Sequence, residues 1–304
     1  MQVELARAGA AKARNLNSQA AGFYFVLPAF LLYVAFFLYP FFSTIYLSLT
    51  NWNGVQDPVF TGIENYKRLA TDPLMWHSLR NSVIWVVIGT IAPIVLGLLL
   101  SVLLWSGAPG GMVLRTIYFL PAIVSPVVIG VIWRWIYNPV FGVLNKGLKA
   151  VGLGFLTTGW LGNPTTALYA VLVTAIWSYV GFCIVVLFAA LQKVDNELMD
   201  AATLDGANAW QRFRHVILPQ IAPVLTMMIV YTAIEGFNVF DIVYVMTNGG
   251  PANASEVIAT YAYRKAFVEN EAGYGAALTV VMSTVALMAA LVTLRIRKKA
   301  EEHV

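Results

Sequence analysis

The 304-residue sequence is poor in charged residues and in metal-binding side chains. Only 11% of its residues are Asp, Glu, Lys or Arg, whereas a soluble domain carries about 25%. So few charges cannot cover a surface that faces water, which excludes a disordered chain and argues strongly against an ordinary soluble protein. The single cysteine, Cys183, excludes an internal disulfide and a cysteine-based metal cluster, and the three histidines stand far apart.

The sequence also lacks the short motifs by which common enzyme sites are identified. It contains no G-x-x-x-x-G-K-[ST] phosphate loop, no G-x-S-x-G nucleophile turn and no His-Glu metal pair. We therefore predict that the chain is not an enzyme and that it holds neither a metal ion nor another cofactor.

Apolar residues, by contrast, make up 59% of the chain, and its mean hydropathy is +0.73. They occur in long runs with almost no charge, and a helix needs about 20 such residues to cross a bilayer. We predict an all-α membrane protein with six transmembrane helices between a tail at 1–22 and a tail at 295–304. The predicted spans are 23–49, 83–105, 116–137, 168–191, 219–246 and 274–294, which together form one domain at 23–294.

The positive charges predict the orientation of these spans. An even number of spans puts both tails on one side of the membrane, together with the second and fourth loops. That side carries eleven Lys and Arg residues and the other carries seven. Because cytoplasmic loops are enriched in Lys and Arg, both termini are predicted to be cytoplasmic. The same bias explains the net charge of +4 and the pI of about 9.1 without any nucleic-acid partner.

The fourth loop, residues 194–220, is too well patterned for a simple connection. Asp195 can cap a short helix at 196–204, and Gly206 marks a break after it. Asn208 and Gln211 form a candidate capping box for a second helix. On that helix one apolar face would hold Trp210, Phe213 and Ile217.

Two interpretations of this helix–Gly–helix loop remain open from its pattern. It can be an amphipathic element that anchors the fifth span at the membrane surface. It can equally be a docking surface, since its small residues permit a partner to approach closely. The residues that permit this approach are Ala201, Ala202 and Gly206.

The loop also contains a long ordered motif: Asp200-Ala201-Ala202, then Asp205-Gly206-Ala207, then Phe213, Ile217, Leu218-Pro219 and Pro223. This order resembles the "EAA" loop of binding-protein-dependent ABC importer permeases. The first position differs, because Asp200 stands where the family has Glu. The charge is kept and the reach shortens by one methylene, so we expect docking to survive.

Other segments resemble the carbohydrate-uptake, maltose-type branch of that family. Gly62-Ile63-Glu64-Asn65-Tyr66 is similar to its "GLENY" loop. Phe240-Asp241, followed by the segment from Tyr244 to Pro251, is similar to the end of its fifth helix. This version of the fifth helix is typical of the subunit that partners a second, similar permease.

The resemblance implies the type I ABC importer permease fold, in a bacterial or archaeal cytoplasmic (inner) membrane. Its implied partners are a second homologous permease, two cytoplasmic ATPase subunits, an extracytoplasmic sugar-binding protein, the lipid bilayer and a sugar. The sugar is a mono- or oligosaccharide, or a related polyol or glycerol derivative. ATPase coupling is expected at Leu198, Asp200, Ala201, Ala202, Asp205, Gly206 and Pro219.

The fifth span contains two acids, Glu235 near its middle and Asp241 in its outer third. A charge inside a membrane is costly, so it should face a cavity or a partner. On a helical wheel Tyr231, Glu235 and Asn238 align and Asp241 borders them, an arrangement that suits sugar hydroxyls and the apolar face of a sugar ring. Alternatively, Glu235 only bonds to a neighbouring helix.

A different function also remains open. In an ion-coupled secondary transporter, Glu235 or Asp241 would be the proton site. Many transporters of that kind are built from internal repeats, and no repeated halves are visible in this sequence. The patterned fourth loop would also have no role in them, so the importer permease is the preferred prediction.

Overall fold

The computed structural model describes residues 24–105 and 111–301, and this part of the chain is mainly helical. Five helices are long and apolar enough to cross a membrane, and a bent pair makes a sixth span. The predicted all-α class with six spans is therefore confirmed; the tail at 1–22 lies outside the described residues. The helices are α1 Tyr24–Ser48, α2 Glu64–Thr71, α3 Pro73–Trp105, α4 Gly111–Ile123, α5 Pro126–Ile136, α6 Val143–Ala150, α7 Ala167–Leu191, α8 Asn196–Leu204, α9 Ala209–Phe237, α10 Asp241–Met246, α11 Ile258–Tyr263 and α12 Ala272–Glu301.

Two of the long helices contain a turn of π-helix, and the short helix α11 continues into one. The only described sheet is a two-stranded hairpin. The π turns are Val34–Leu38 within α1, Phe213–Ile217 within α9 and Arg264–Val268 directly after α11. Strands β1 (Thr50–Asn51) and β2 (Val59–Phe60) pair antiparallel, with Thr50 opposite Phe60. The hairpin closes the loop between α1 and α2.

The third span was predicted as one helix at 116–137, and this prediction is wrong in its continuity. The chain forms α4 and α5, whose axes are bent by 100°. Pro126 has no N–H to donate, and its ring disfavours a helical conformation of the preceding residue. Ser125 accordingly has the extended backbone angles φ −55° and ψ 136°.

The fifth span, predicted at 219–246, is also broken. Helix α9 ends at Phe237 and α10 begins at Asp241. Gly236 and Asn238 are both poor helix formers, which favours an end at this point. Glu235 therefore lies in the last turn of α9 rather than in the middle of a longer helix, and Asp241 belongs to a separate helix.

The second span begins earlier than predicted, at Pro73 instead of 83. Pro73 is suited to a first helical position, and the Asp72 carboxylate accepts a hydrogen bond of 2.9 Å from the backbone N–H of Leu74. The first turns of α3 are polar, so a hydropathy count leaves them out. The last span likewise continues as a helix to Glu301, beyond the predicted limit of 294.

Helices α3 and α7 form the centre of the molecule. Helix α3 packs along α7 and α9, α4 packs on α7, and α12 lies between α9 and α1. At Gly181 of α7 a Cβ atom would collide with the backbone carbonyl of Tyr118. The α4–α7 contact therefore depends on a residue without a side chain, as is common where membrane helices approach closely.

Hydrogen bonds join the beginning of α3 to the segment that runs from the end of α10 to the beginning of α12. The Asp72 carboxylate accepts hydrogen bonds from the hydroxyls of Tyr261 and Tyr274. The Asn81 side chain of α3 donates to the backbone carbonyls of Ala254 and Glu256, at 3.0 and 2.9 Å. These bonds fix the segment between α10 and α11 against the beginning of α3.

Candidate coupling loop and substrate cavity

The two short helical elements of the fourth loop form as the sequence predicts. Helix α8 spans Asn196–Leu204, and the Asp195 side chain accepts a hydrogen bond of 2.8 Å from the backbone N–H of Glu197. At the start of α9, Asn208 and Gln211 exchange side-chain to backbone hydrogen bonds of 2.8 and 2.9 Å, a capping box. Both helices are thus capped at their N-termini by side chains of the loop itself.

Gly206 forms the turn between these elements. Its φ is +80°, a conformation that residues with a side chain resist. The backbone N–H of Ala207 bonds to the carbonyl of Ala202 at 2.9 Å, which closes the end of α8. A Cβ at Gly206 would meet no atom within 4 Å, so one side of the turn is open.

The predicted coupling residues lie on the surface of this loop. Leu198 is 51% exposed and the neighbouring Leu204 is 89% exposed. Asp200 and Asp205 are exposed and make no side-chain hydrogen bond or ion pair within the described residues. Ala201 is exposed and Ala202 is half-buried. Apolar side chains and unpaired carboxylates are therefore both available to a partner.

Trp210 departs from the predicted apolar face. Phe213 and Ile217 pack into the inner cluster with Ile221, whereas Trp210 is 65% exposed and stacks on Phe213 at 5.7 Å between ring centroids. The three residues have helical spacing along α9, but only Phe213 and Ile217 pack into the core. Trp210 instead adds, like Leu204, to the exposed apolar surface of the loop.

The loop is tied to itself at two points. The Arg212 guanidinium donates a hydrogen bond of 2.6 Å to the Thr203 hydroxyl, which joins α9 to α8. The backbone N–H of Asp195 donates to Oε1 of Gln220 at 2.9 Å. Pro219 is exposed and lies two residues after the end of the π turn, where the loop becomes the spanning part of α9.

The four residues predicted for the substrate pathway line one cavity of about 260 Å³. It lies among α3, α7, α9 and α10, next to the break between the last two helices. Tyr231 and Glu235 come from α9, Asn238 from its end and Asp241 from the start of α10. The tertiary structure thus brings together residues that the broken fifth span separates.

The two acids of the cavity are free of internal partners. Glu235 and Asp241 are both exposed, and neither makes a side-chain hydrogen bond or an ion pair within the part of the chain that the structure describes. Glu235 accordingly does not bond to a neighbouring helix in this structure. The other lining residues are Trp85, Gly89, Pro126, Leu172, Ala175, Ile176, Ser178, Tyr179, Thr232, Gly236, Val239, Phe240 and Ile242, and none of them is cationic.

Sequence reasoning did not single out Tyr179 as a cavity residue. Its ring lies 5.3 Å from that of Phe182, which in turn lies 6.3 Å from Tyr231. Its hydroxyl is buried without a hydrogen-bond partner among the described residues. The nearby Trp177 packs against Trp133 at 5.3 Å instead. Because both residues are aromatics of one helix, only the packing of α7 distinguishes them.

Known proteins are similar to this chain in sequence and in fold. A profile of the family "Binding-protein-dependent transport system inner membrane component" matches residues 93–301. The probable ABC transporter permease protein YurN of Bacillus subtilis is 35% identical over 92% of this chain and 96% of its own length. The diacetylchitobiose uptake system permease protein NgcF of Streptomyces coelicolor is 32% identical over 95% of this chain and 86% of its own.

A bacterial alginate ABC transporter, crystallised with an alginate-bound periplasmic protein, contains a chain of the same fold. The TM-score is 0.83 at 20% identity, over 94% of this chain and 97% of that one. The family profile covers more than half of the chain, and YurN is similar over nearly the whole chain, so the family of this protein is established. This chain belongs to the family of binding-protein-dependent transport system inner membrane components.

Proposed function

We propose that the chain is a permease subunit of an ATP-driven, binding-protein-dependent sugar importer. It forms half of the translocation pathway, and a second homologous permease forms the other half. Two cytoplasmic ATPase subunits dock on the coupling loop, and an extracytoplasmic binding protein delivers the sugar. Both termini are cytoplasmic, in agreement with the excess of Lys and Arg on that side.

One observation carries this proposal: helix α9, which includes the π turn at Phe213–Ile217, runs as one helix from the exposed loop to the cavity. It begins at Ala209 and ends at Phe237, and Glu235 lies in its last turn. From Pro219 to Glu235 the helix measures about 24 Å, at 1.5 Å per residue. A rigid element of this length can carry a displacement at the ATPase to the substrate cavity.

The proposed coupling surface has the properties that docking requires. Leu198, Ala201 and Ala202 supply the inserted face, and Asp200 and Asp205 would accept hydrogen bonds from the ATPase. Gly206 supplies a turn that a side chain would strain, and Pro219 is the junction through which the loop tilts α9. An interfacial anchor, by contrast, has no use for exposed carboxylates turned away from the core.

The chemistry of the cavity fits a sugar. Tyr231 and Tyr179 present rings that can pack on the apolar face of a pyranose, and Glu235, Asn238 and Asp241 present acceptors for its hydroxyls. The name of NgcF states that it serves diacetylchitobiose uptake, and the alginate transporter was crystallised in complex with a periplasmic protein that binds an alginate pentasaccharide. Both support a saccharide as the cargo of this chain.

Reconstitution of the complete importer into proteoliposomes tests the proposal. Uptake of a labelled sugar from a panel of mono- and oligosaccharides and polyols should require internal ATP and the external binding protein. It should persist when a protonophore collapses the proton gradient. Uptake that continues without ATP and stops with the protonophore would instead identify an ion-coupled secondary transporter that uses Glu235 or Asp241.

A further inference from the structure

We propose that the cavity selects its sugar by charge: it favours an amine-bearing sugar over a neutral one and rejects a sugar that carries a carboxylate or a phosphate. This inference rests on the proposed function and names the substrate class of the same cavity. It starts from two carboxylates, Glu235 and Asp241, in a space of about 260 Å³ that no described Lys, Arg or His lines.

Neither carboxylate is neutralised by another part of the described chain. Arg80 of α3 is exposed and does not line the cavity. On α5, Arg134 is the guanidinium closest in sequence to the lining residue Pro126. It donates a hydrogen bond of 3.3 Å to the backbone carbonyl of Val245 and lines a different cavity. Arg134 therefore does not line the cavity that holds the two carboxylates.

The cations that follow α11 are also engaged elsewhere. Arg264 forms an ion pair of 3.0 Å with the buried Glu256, and Lys265 forms one of 2.6 Å with Glu269. Burial raises the pKa of Glu256, and the hydrogen bond from Thr260 and the charge of Arg264 offset only part of this rise. Moving Arg264 to the cavity would leave that buried carboxylate without its partner, so Arg264 is not available to a substrate.

Two uncompensated acids in a helix-lined cavity repel a third negative charge. Charge interactions are stronger beside protein and lipid than in bulk water, and an anionic group also loses hydration that nothing in the cavity replaces. A neutral sugar avoids both costs because its hydroxyls can donate to the carboxylates. The ammonium group of an amine-bearing sugar makes further favourable interactions, with the two carboxylates and with the ring face of Tyr231, which is 49% exposed.

Binding of three sugars of one ring size but different charge tests this order. The importer, without its binding protein, is placed in nanodiscs, and saturation-transfer NMR compares glucosamine, glucose and glucuronate. Omitting the binding protein removes its own selectivity from the measurement. We expect glucosamine to bind at least about 10-fold more tightly than glucuronate, with glucose between them, a difference that corresponds to about 1.4 kcal/mol.

Substitution of Glu235 and Asp241 should abolish the order of affinities among the three sugars. In the double variant Glu235→Gln, Asp241→Asn the three sugars should bind within about 2-fold of one another, because each change removes a charge and keeps the shape. The control is Glu64→Gln, which removes one carboxylate at an exposed position that does not line the cavity. This variant should keep the wild-type order of the three affinities. High salt offers a test without any substitution, since it should narrow the difference in the wild type.

The outcomes separate this inference from the function beneath it. Equal binding of glucose and glucuronate to the wild type, or an unchanged order in the double variant, overturns charge selection while ATP-dependent uptake stands. Failure of all three sugars to bind, together with no sugar uptake in proteoliposomes, overturns both. An order that the double variant removes and the control variant keeps supports the inference.

Discussion

The backbone N–H of Asp195 donates a hydrogen bond of 2.9 Å to Oε1 of Gln220, and this bond joins the two ends of the fourth loop. Asp195 is the residue that caps α8, and Gln220 lies on α9 where the loop becomes a spanning helix. A force applied to α8 thus reaches α9 directly as well as through the turn at Gly206. The loop can act as one stiff body.

The first prediction concerns this bond. Gln220→Leu removes the acceptor but keeps a side chain of similar size, at a cost of about 1 kcal/mol for the lost hydrogen bond. We expect the ATPase still to co-purify with the permease, while substrate-stimulated ATP hydrolysis in proteoliposomes falls about 2- to 5-fold. Gln192→Leu, at an exposed position before the loop, is the control. Unchanged stimulation in Gln220→Leu would show that the bond carries no coupling.

Docking of the ATPase should depend on the turn of the loop. Gly206→Val introduces a β-branched side chain at φ +80°, which costs on the order of 1–3 kcal/mol and crowds the contact. Both Gly206→Val and Asp200→Lys should reduce co-purification of the ATPase and uncouple hydrolysis from uptake, with the permease still inserted. Gly147→Val, in the open on α6, serves as the control because it should do neither. Wild-type values for both loop variants would falsify the docking interpretation and leave the interfacial anchor.

Transport should depend on the polar side chains at the break in the fifth span. Glu235→Gln removes a charge and Asn238→Ala removes an amide, both at the cavity wall. We expect uptake at limiting substrate to fall about 10-fold, the effect of losing one or two substrate hydrogen bonds, while the complex assembles normally. If both variants transport at the wild-type rate, these residues serve packing alone.

Stability in acid should depend on Asp72. Burial disfavours its ionised form, but hydrogen bonds from Tyr261, Tyr274 and the backbone N–H of Leu74 outweigh this and lower the pKa of Asp72. A lowered pKa means that the stabilisation is complete above the unfolded value of about 3.9 and is lost as the pH falls through the folded value.

Asp72→Asn therefore should lower the Tm of the detergent-solubilised protein at pH 7, by about 2–4 °C. Below about pH 4 the Tm of the variant should also fall less steeply with pH than that of the wild type, because the variant has no carboxylate at position 72 to be protonated. Tryptophan fluorescence during heating measures both effects, and Asp57→Asn at an exposed position is the control. An equal slope in wild type and Asp72→Asn would contradict the role given to this carboxylate.

Local signals in the sequence were sufficient for the elements that depend on near neighbours. The limits of α8, its Asp195 cap and the capping box of Asn208 and Gln211 all arise between residues at most a few positions apart. The number of spans follows from the length of apolar runs, which the thickness of the bilayer dictates. Gly206 in a left-handed turn is likewise a local preference.

Packing between distant segments decided the rest. Pro126 and Gly236 are visible in the sequence, but whether such residues bend, end or merely interrupt a helix depends on what supports the freed backbone groups. The cavity exists because α3, α7, α9 and α10 meet there, so it collects Glu235 and Asp241 from two helices and adds Tyr179 from a third. Tertiary packing also decided the exposure of Trp210, because Phe213 and Ile217 pack into the inner cluster and Trp210 does not. The sequence by itself therefore determined the number of spans and the coupling loop, since these depend on apolar length and local caps, whereas only the tertiary structure decided where two spans break, which side chains share the cavity and which remain free of partners.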